Sequence, residues 1–215
     1  HAIKAFASVS LEPDGSTIVG AEGTPHRVEV ARVTPEFFTT LGVPLALGHM
    51  FTDQEATYGP DQVAVLTDAF WRTHFNADPD IVGKTFLNDG LSITILGVLP
   101  RGFHFLSSHA QFFRPVAHGP DEIKPSNRHS NNYQMIARLA PGVTLADAQA
   151  QMDGFNEHQL LDDPYAELLR NAGFHTYLSP LHADFVRDVR PILLLLQAAV
   201  LALLLIGGIN LVNLL

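Results

Sequence analysis

The 215-residue chain is 47% hydrophobic, has 13 Lys and Arg against 22 Asp and Glu for a formal net charge of −9, and contains no cysteine. The acidic balance and the lack of a basic stripe exclude nucleic-acid binding, which needs clustered Lys and Arg to displace counterions. Without cysteine, a disulfide scaffold, a thiolate zinc site and a thiol nucleophile are excluded together. Charged residues make up only 16% of the chain, and none lies beyond Arg190, so the composition mixes two unlike segments. The first residues, His1-Ala2-Ile3-Lys4, lack the n-region and h-region of a signal peptide and read as a chain entered partway through a strand, a piece of a longer protein.

Residues 5–11 alternate as a strand, and Glu12-Pro13-Asp14-Gly15-Ser16 is turn chemistry that predicts a hairpin returning over 17–20. A third antiparallel strand is predicted over 26–33, with Val28 and Val30 on one face. Thr34-Pro35-Glu36 predicts a helix start with Thr34 as N-cap and Pro35 at the first helical position, ending by Gly42. Thr52-Asp53-Gln54-Glu55 predicts a short capped helix, residues 63–66 a buried strand, and Thr67-Asp68 the cap of a helix through Phe75. Residues 85–87 and 91–99 are predicted to pair across Asn88-Asp89-Gly90 in a type I′ hairpin. Residues 100–119 read as irregular and aromatic, and 120–132 as an exposed polar loop. A strand is predicted over 133–139. Thr144 and Asp147 then form a capping box with Asp in the place of Glu. It opens an amphipathic helix whose stripe is Leu145, Ala148, Met152 and Phe155. A last strand is expected over 174–179.

The motifs that invite a chemical reading fail on their own spacing. Gly83-Lys84-Thr85 reproduces the tail of a phosphate-binding loop, but the glycine required five residues earlier is Asp78. Asp78 and Asp80 would moreover repel the phosphate. No two of the eleven histidines stand at the i, i+4 spacing of a shared ligand face, and His104 and His109 are five apart. No Gly-x-Ser-x-Gly elbow occurs, and Ser107-Ser108-His109 is adjacency only. The acidic pairs Asp53 and Glu55, Asp78 and Asp80, and Asp162 and Asp163 sit at predicted caps and turns, where carboxylates take up backbone donors. No catalytic, cofactor-binding or metal-ligating residue is therefore assigned.

Residues 191–215 hold only Gln197, Asn210 and Asn213 as strongly polar side chains. About 20 apolar residues at about 1.5 Å rise span the roughly 30 Å hydrocarbon layer, whereas the core helix of a soluble protein is usually shorter and keeps a polar face. A transmembrane helix is predicted. Gly207, Asn210 and Asn213 share one sector of it, where small and amide side chains favour close helix packing. Arg187 and Arg190 precede it at the membrane surface. Taken alone, they would favour a cytoplasmic N-terminal side.

Seven segments recur in one order: Val33-Thr34-Pro35-Glu36-Phe37-Phe38-Thr39-Thr40-Leu41-Gly42-Val43, then Gly48-His49-Met50-Phe51, then Val63-Ala64-Val65-Leu66-Thr67 with Trp71-Arg72 and Phe75. Next come Asp78-Pro79-Asp80-Ile81-Val82-Gly83-Lys84-Thr85, Ile95-Leu96-Gly97-Val98-Leu99-Pro100-Arg101-Gly102-Phe103, Ala137-Arg138-Leu139-Ala140-Pro141-Gly142-Val143-Thr144, and Asn210-Leu211-Val212-Asn213-Leu214-Leu215. Over nearly the whole chain, the series resembles the MacB-like periplasmic core domain of FtsX-like ABC transporter permeases, especially the duplicated orphan permeases of acidobacteria.

The resemblance implies an α+β fold: a two-lobed mixed α/β extracytoplasmic domain with short antiparallel strands, followed by one transmembrane helix. Residues 1–59 would be the first part of a membrane-proximal lobe and its crossover, 60–125 an inserted distal lobe, 126–185 the return segment, and 187–215 the start of the second transmembrane helix. Residues 1 to about 187 would lie on the periplasmic side of a bacterial inner membrane, which overrides the arginine reading. The implied function is a non-catalytic permease subunit that couples ATP-driven motion of a separate nucleotide-binding protein to export or envelope work, with ATP held on that other subunit. Its partners would be the ABC ATPase, the membrane, a permease dimer or pseudo-dimer and a periplasmic adaptor. Gly207, Asn210 and Asn213 would serve helix packing, and Arg187 and Arg190 the membrane surface. The alternative is a membrane-tethered ligand- or protein-binding module without transport, whose contact surface would be the aromatic stretch 103–113 and the polar loop after it. An anchored hydrolase finds no nucleophile-base signature.

Overall fold

A computed structural model describes residues 3, 6–12, 14–20, 26–57, 59, 62–105, 108–117, 119, 124, 134–161, 163–187 and 190–214. They fall into two compact units, His1–Gly142 and Val143–Leu215. The first holds strands β1 (Phe6–Glu12), β2 (Asp14–Val19), β3 (His26–Val33), β4 (Leu47–Gly48), β5 (Gln62–Leu66), β6 (Thr85–Asn88), β7 (Leu91–Val98), β8 (Phe112–Pro115) and β9 (Gln134–Leu139). It also holds helices α1 (Phe37–Leu41) and α2 (Asp68–Phe75). The second holds α3 (Leu145–Leu160), α4 (Ala166–Asn171), α5 (Leu181–Arg187) and α6 (Arg190–Leu214).

Six strands follow one another in the order β7-β5-β8-β3-β2-β6, and β6 pairs again with β7, so the sheet closes on itself like a barrel with β4 added on β7. β5 runs parallel to β7 and β3 parallel to β8, while β2–β3, β2–β6, β5–β8 and β6–β7 are antiparallel. Side chains alternate between the two faces. One cluster draws Val19, Val30, Leu66, Phe86, Ile93 and Phe112 from all six strands and is therefore the barrel interior. Phe70 of α2 joins it. The other cluster takes Val33, Val65, Leu96 and Phe113 from the outward face and adds Phe37 and Phe38 of α1. Ring centroids of Phe38 and Phe113 lie 5.3 Å apart, edge to face, a geometry worth about 0.5–1.5 kcal/mol beyond burial. Within β7 the alternation changes phase at Leu96, where the pairing with β5 slips between Ala64 and Val65. The extra residue returns Val98 to the interior, where strict alternation from Ile95 would turn it outward.

β1 does not form the expected hairpin with β2. It pairs antiparallel with β9, placing Val9 opposite Ala137 and Phe6 opposite Leu139. Only Pro13 separates β1 from β2, too little chain for even a two-residue reversal, so the segment passes from one sheet into the other. The β6–β7 hairpin forms as expected, with Asp89 at φ 48° and Gly90 at φ 77° as a type I′ turn requires. The strand β8 was not anticipated in a stretch that reads as irregular.

Thr34 does not cap α1. The helix starts after Glu36 with no side-chain cap, and the Thr34 hydroxyl is buried without a partner. The Phe37 N–H donates to the Thr34 carbonyl at 3.0 Å instead, so a turn precedes the helix. At the other end Gly42 (φ 74°) donates to Thr39 O at 3.0 Å and Val43 to Phe38 O at 2.9 Å, the two bonds of a Schellman ending. That leaves the Thr40 carbonyl, which accepts Nε and Nη2 of Arg138 from β9 at 2.9 and 2.6 Å. The expected helix after Thr52 is a single turn, in which Thr52 donates N–H and Oγ1 to the Glu55 carboxylate, both at 2.8 Å.

In the second unit Thr144 and Asp147 form the reciprocal capping box on α3, whose Ala148 and Met152 are buried. Residues 174–180 belong to no described strand. Side chains of α3 hold them: Gln149 donates to Thr176 O at 2.7 Å and accepts from Leu178 N at 2.8 Å, and Asn156 donates to Thr176 Oγ1 at 2.9 Å.

The strand β4 sits on β7 at glycine distance. A Cβ on Gly97 would lie 2.5 Å from Leu47 O, and one on Gly48 (φ 76°) would lie 1.9 Å from Leu96 O. Gly97→Ala is expected to cost about 1–3 kcal/mol, the usual penalty for overpacking, and to appear as a lower urea midpoint at unchanged slope. Gly59→Ala, which meets nothing within 4 Å, serves as the neutral control.

Candidate functional site: the apolar helix and an external cleft

The helix α6 is 25 residues of almost wholly aliphatic sequence. Its span Arg190–Asn210 has a mean hydropathy of 2.7 and no buried part, and Leu195 is 72% exposed. The core helix of a soluble protein would bury such a surface, whereas about 20 apolar residues match the thickness of a bilayer. Gly207 meets nothing within 4 Å of where a Cβ would stand, and Asn210 and Asn213 are exposed. The sector they share thus has no partner among the described residues. Arg190 opens α6 and is exposed, and Arg187 closes α5.

In the first unit a cleft of about 580 Å³ opens between α2 and residues 100–111. Local capping builds it. Thr67 Oγ1 accepts the Phe70 N–H at 3.2 Å and donates to Gln111 O at 2.9 Å, which ties the start of α2 to the entry of β8. Phe70, Phe103, Phe105 and Phe113 line the apolar side. Phe105, Phe112 and Phe113 are buried in the two cores, so most of the aromatic stretch expected as a contact surface is core. The polar loop after it lies outside the described residues, apart from residue 124. The Gln111 Oε1 is buried without a partner on the wall of the cleft.

His74, His104 and His109 line the same cleft, which nothing in their sequence spacing links. Among the described residues, no group of three or more His, Asp or Glu could hold a metal ion. His74 stacks on Phe70 at 4.3 Å and meets the edge of His26 at 5.8 Å. Burial first, and then the His26 charge, lower the His74 pKa below its ordinary value. Asp68 is taken by Arg72, whose Nε donates to both carboxylate oxygens at 3.0 and 2.9 Å.

The phosphate-loop look-alike is bound up in structure. The Lys84 ammonium is held by Asp78, and the Gly83 N–H donates to Ile95 O at 2.8 Å. Asp78 also accepts the Asp80 N–H at 2.9 Å, and Trp71 Nε1 donates to the Asp78 carbonyl at 2.9 Å. Lys84 and the Asp80 N–H hold the Asp78 carboxyl below the usual carboxylate range. The other described acids do similar local work: Glu55 closes the Thr52 turn, and Asp163 accepts the Tyr165 N–H at 2.8 Å.

A polar network inside the barrel escaped sequence reading. Asn88, 1% exposed, donates to Ile18 O at 3.1 Å and to Thr17 Oγ1, and accepts from Arg114 Nη1 at 3.2 Å. Burial lowers the Arg114 pKa. The Asn-Asp-Gly signal marks a turn and says nothing of the amide turned inward.

Two titrations check this electrostatic picture. His74 has a folded pKa below its unfolded value, so its contribution to stability is present above the unfolded value and is lost as pH falls through it toward the folded one. Urea midpoints are expected to drop between pH 7 and pH 5, and to drop less in His74→Gln. In Lys84→Met, the Asp78 carboxyl titration read by NMR is expected to move up toward the ordinary range.

Three solved domains share this fold. A domain described as part of a permease from Porphyromonas gingivalis matches with a TM-score of 0.56 at 19% identity, over 73% of this chain and 71% of that one. The periplasmic region of MacB from Actinobacillus actinomycetemcomitans matches with a TM-score of 0.54 at 14% identity, over 81% and 78%. The extracellular domain of the noncanonic ABC-type transporter YknZ from Gram-positive bacteria matches with a TM-score of 0.53 at 11% identity, over 73% and 78%. No curated protein sequence matches the chain. Residues 2–155 match the family model of the MacB-like periplasmic core domain. With that share of its length matched, the chain belongs to the family of MacB-like periplasmic core domains.

Proposed function

We propose that this domain is the external, non-catalytic part of an ABC transporter permease subunit, which couples ATP hydrolysis on a separate nucleotide-binding protein to export or envelope work. The observation that carries this reading is the attachment of a fully exposed apolar helix, α6, to a domain of the MacB-like periplasmic core family. On this reading α6 is the second transmembrane helix of a bacterial inner-membrane subunit, residues 1 to about 187 lie in the periplasm, and α6 acts as the element of mechanotransmission. Arg187 and Arg190 mark the membrane surface. Residues 60–125 form a distal lobe between the arms 1–59 and 126–185 of a membrane-proximal lobe, a division supported by the β1–β9 ladder that joins those arms, while β2 and β3 run from the first arm into the barrel. The subunit works as a dimer or pseudo-dimer with its ATPase, alongside a periplasmic adaptor. The ordered series of seven sequence segments supports membership of the acidobacterial orphan type.

The sector of Gly207, Asn210 and Asn213 packs against a neighbouring transmembrane helix, since amides facing hydrocarbon are costly and gain about 1 kcal/mol each from an interhelical hydrogen bond. In the full-length protein reconstituted with its ATPase, Asn210→Leu with Asn213→Leu is expected to weaken assembly and to lower transport-coupled ATP hydrolysis several-fold. Assembly and coupling both at the unsubstituted level would remove the packing role. The cleft beside α2 favours the second reading, a tethered ligand-binding module. Following ATP hydrolysis by the ATPase with and without the reconstituted full-length subunit separates the two, because a coupling subunit changes that rate and a binding module without transport leaves it unchanged.

A further inference from the structure

We propose that apolar side chains within residues 161–181 form a collar that rests in the headgroup region of the lipid bilayer, beside the point where α6 enters it. Tyr177 is 77% exposed, Leu161 71% and Leu168 66%, and Phe174 and Leu181 are exposed as well. Among the described residues of the first unit the exposed large hydrophobics are aliphatic and at most 51% exposed. A concentration of this kind on one short stretch marks an interaction surface.

The backbone presents these side chains outward. Thr176 and Leu178 both bond to Gln149 of α3, and Thr176 also to Asn156. Thr176 and Leu178 are half-buried on either side of the exposed Tyr177. On α4, Arg170 reaches back to Glu157 of α3 at 3.7 Å, and the Phe174 N–H closes the helix end on Leu169 O at 3.0 Å. The face bearing Leu168 is left uncovered.

The bilayer is the occupant that continuity selects. Leu181 opens α5, and α6 begins three residues after α5 ends, in the same unit. The exposed apolar residues therefore lie just before the chain passes into hydrocarbon. Tyr, with an apolar body and a polar tip, and Phe and Leu beside it suit the boundary between acyl chains and headgroups. Asp163 and Glu167 stand near Arg170 in this stretch, so the attraction is apolar rather than coulombic and persists at high salt.

The proposal rests on α6 spanning the membrane. The chain has no cysteine, so single spin labels at Leu168→Cys, Tyr177→Cys, Glu167→Cys and Leu204→Cys report one site each. The full chain is placed in vesicles of phosphatidylethanolamine and phosphatidylglycerol, and relaxation by oxygen is compared with relaxation by a water-soluble nickel chelate. The expected oxygen-to-nickel ratio is several-fold higher at 168 and 177 than at 167, and highest at 204. A high ratio at 204 with 168 and 177 equal to 167 overturns the collar and leaves the spanning helix standing. Labels at 168 and 177 shielded from both reagents place them against protein and also overturn it. A low ratio at 204 removes the spanning helix itself and the collar with it.

Discussion

The pairing of β7 with three neighbours is the constraint on which the rest of the first unit depends. β5 occupies one edge along Ile93 to Val98. β6 takes the first half of the other edge and β4 the second. Closure by β6 removes the free strand edges that make a short sheet prone to association. β7 gives Ile93 and Ile95 to the interior and Leu96 to the outer core by alternation, and the slip at Leu96 returns Val98 to the interior. Gly97 then admits β4 at a distance that any side chain would close off. Each of the two cores thus takes part of its wall from this one strand.

Signals written in three or four adjacent residues were legible. Thr67 before α2, Asn88-Asp89-Gly90 between β6 and β7, and Thr144 with Asp147 before α3 each act through backbone groups within one turn, and each forms as expected. What could not be read were pairings between distant residues. β1 meets β9 across most of the first unit, and β8 is a four-residue strand whose place comes from β3 and β5 on either side of it. Thr34 carries the right chemistry for a cap, but the turn at residues 34–37 uses its carbonyl and leaves its hydroxyl idle. The sector on α6 follows from helical period alone, and no described residue meets it.

Residues that most resemble chemistry turn out to hold loops in place. Lys84, Asp78, Asp80 and Trp71 form one local set around the connection from α2 to β6. The segments by which the family can be recognised are of the same kind: Gly48 and Gly97 allow a close approach, Gly42 ends α1, and Arg138 closes on that end.

The register of the β1–β9 ladder bears on how the domain carries force. Phe6 stands across from Leu139, so the chain enters and leaves the ladder at the same end. Tension that draws these two exits apart peels the ladder open one bond at a time, the mode in which antiparallel strands resist least. Tension that moves both exits together loads none of its bonds. The Arg138 clamp on Thr40 lies one register position from the peeling end and stands where a tear would have to start. The ladder therefore holds when its two exits move together and opens when they are drawn apart.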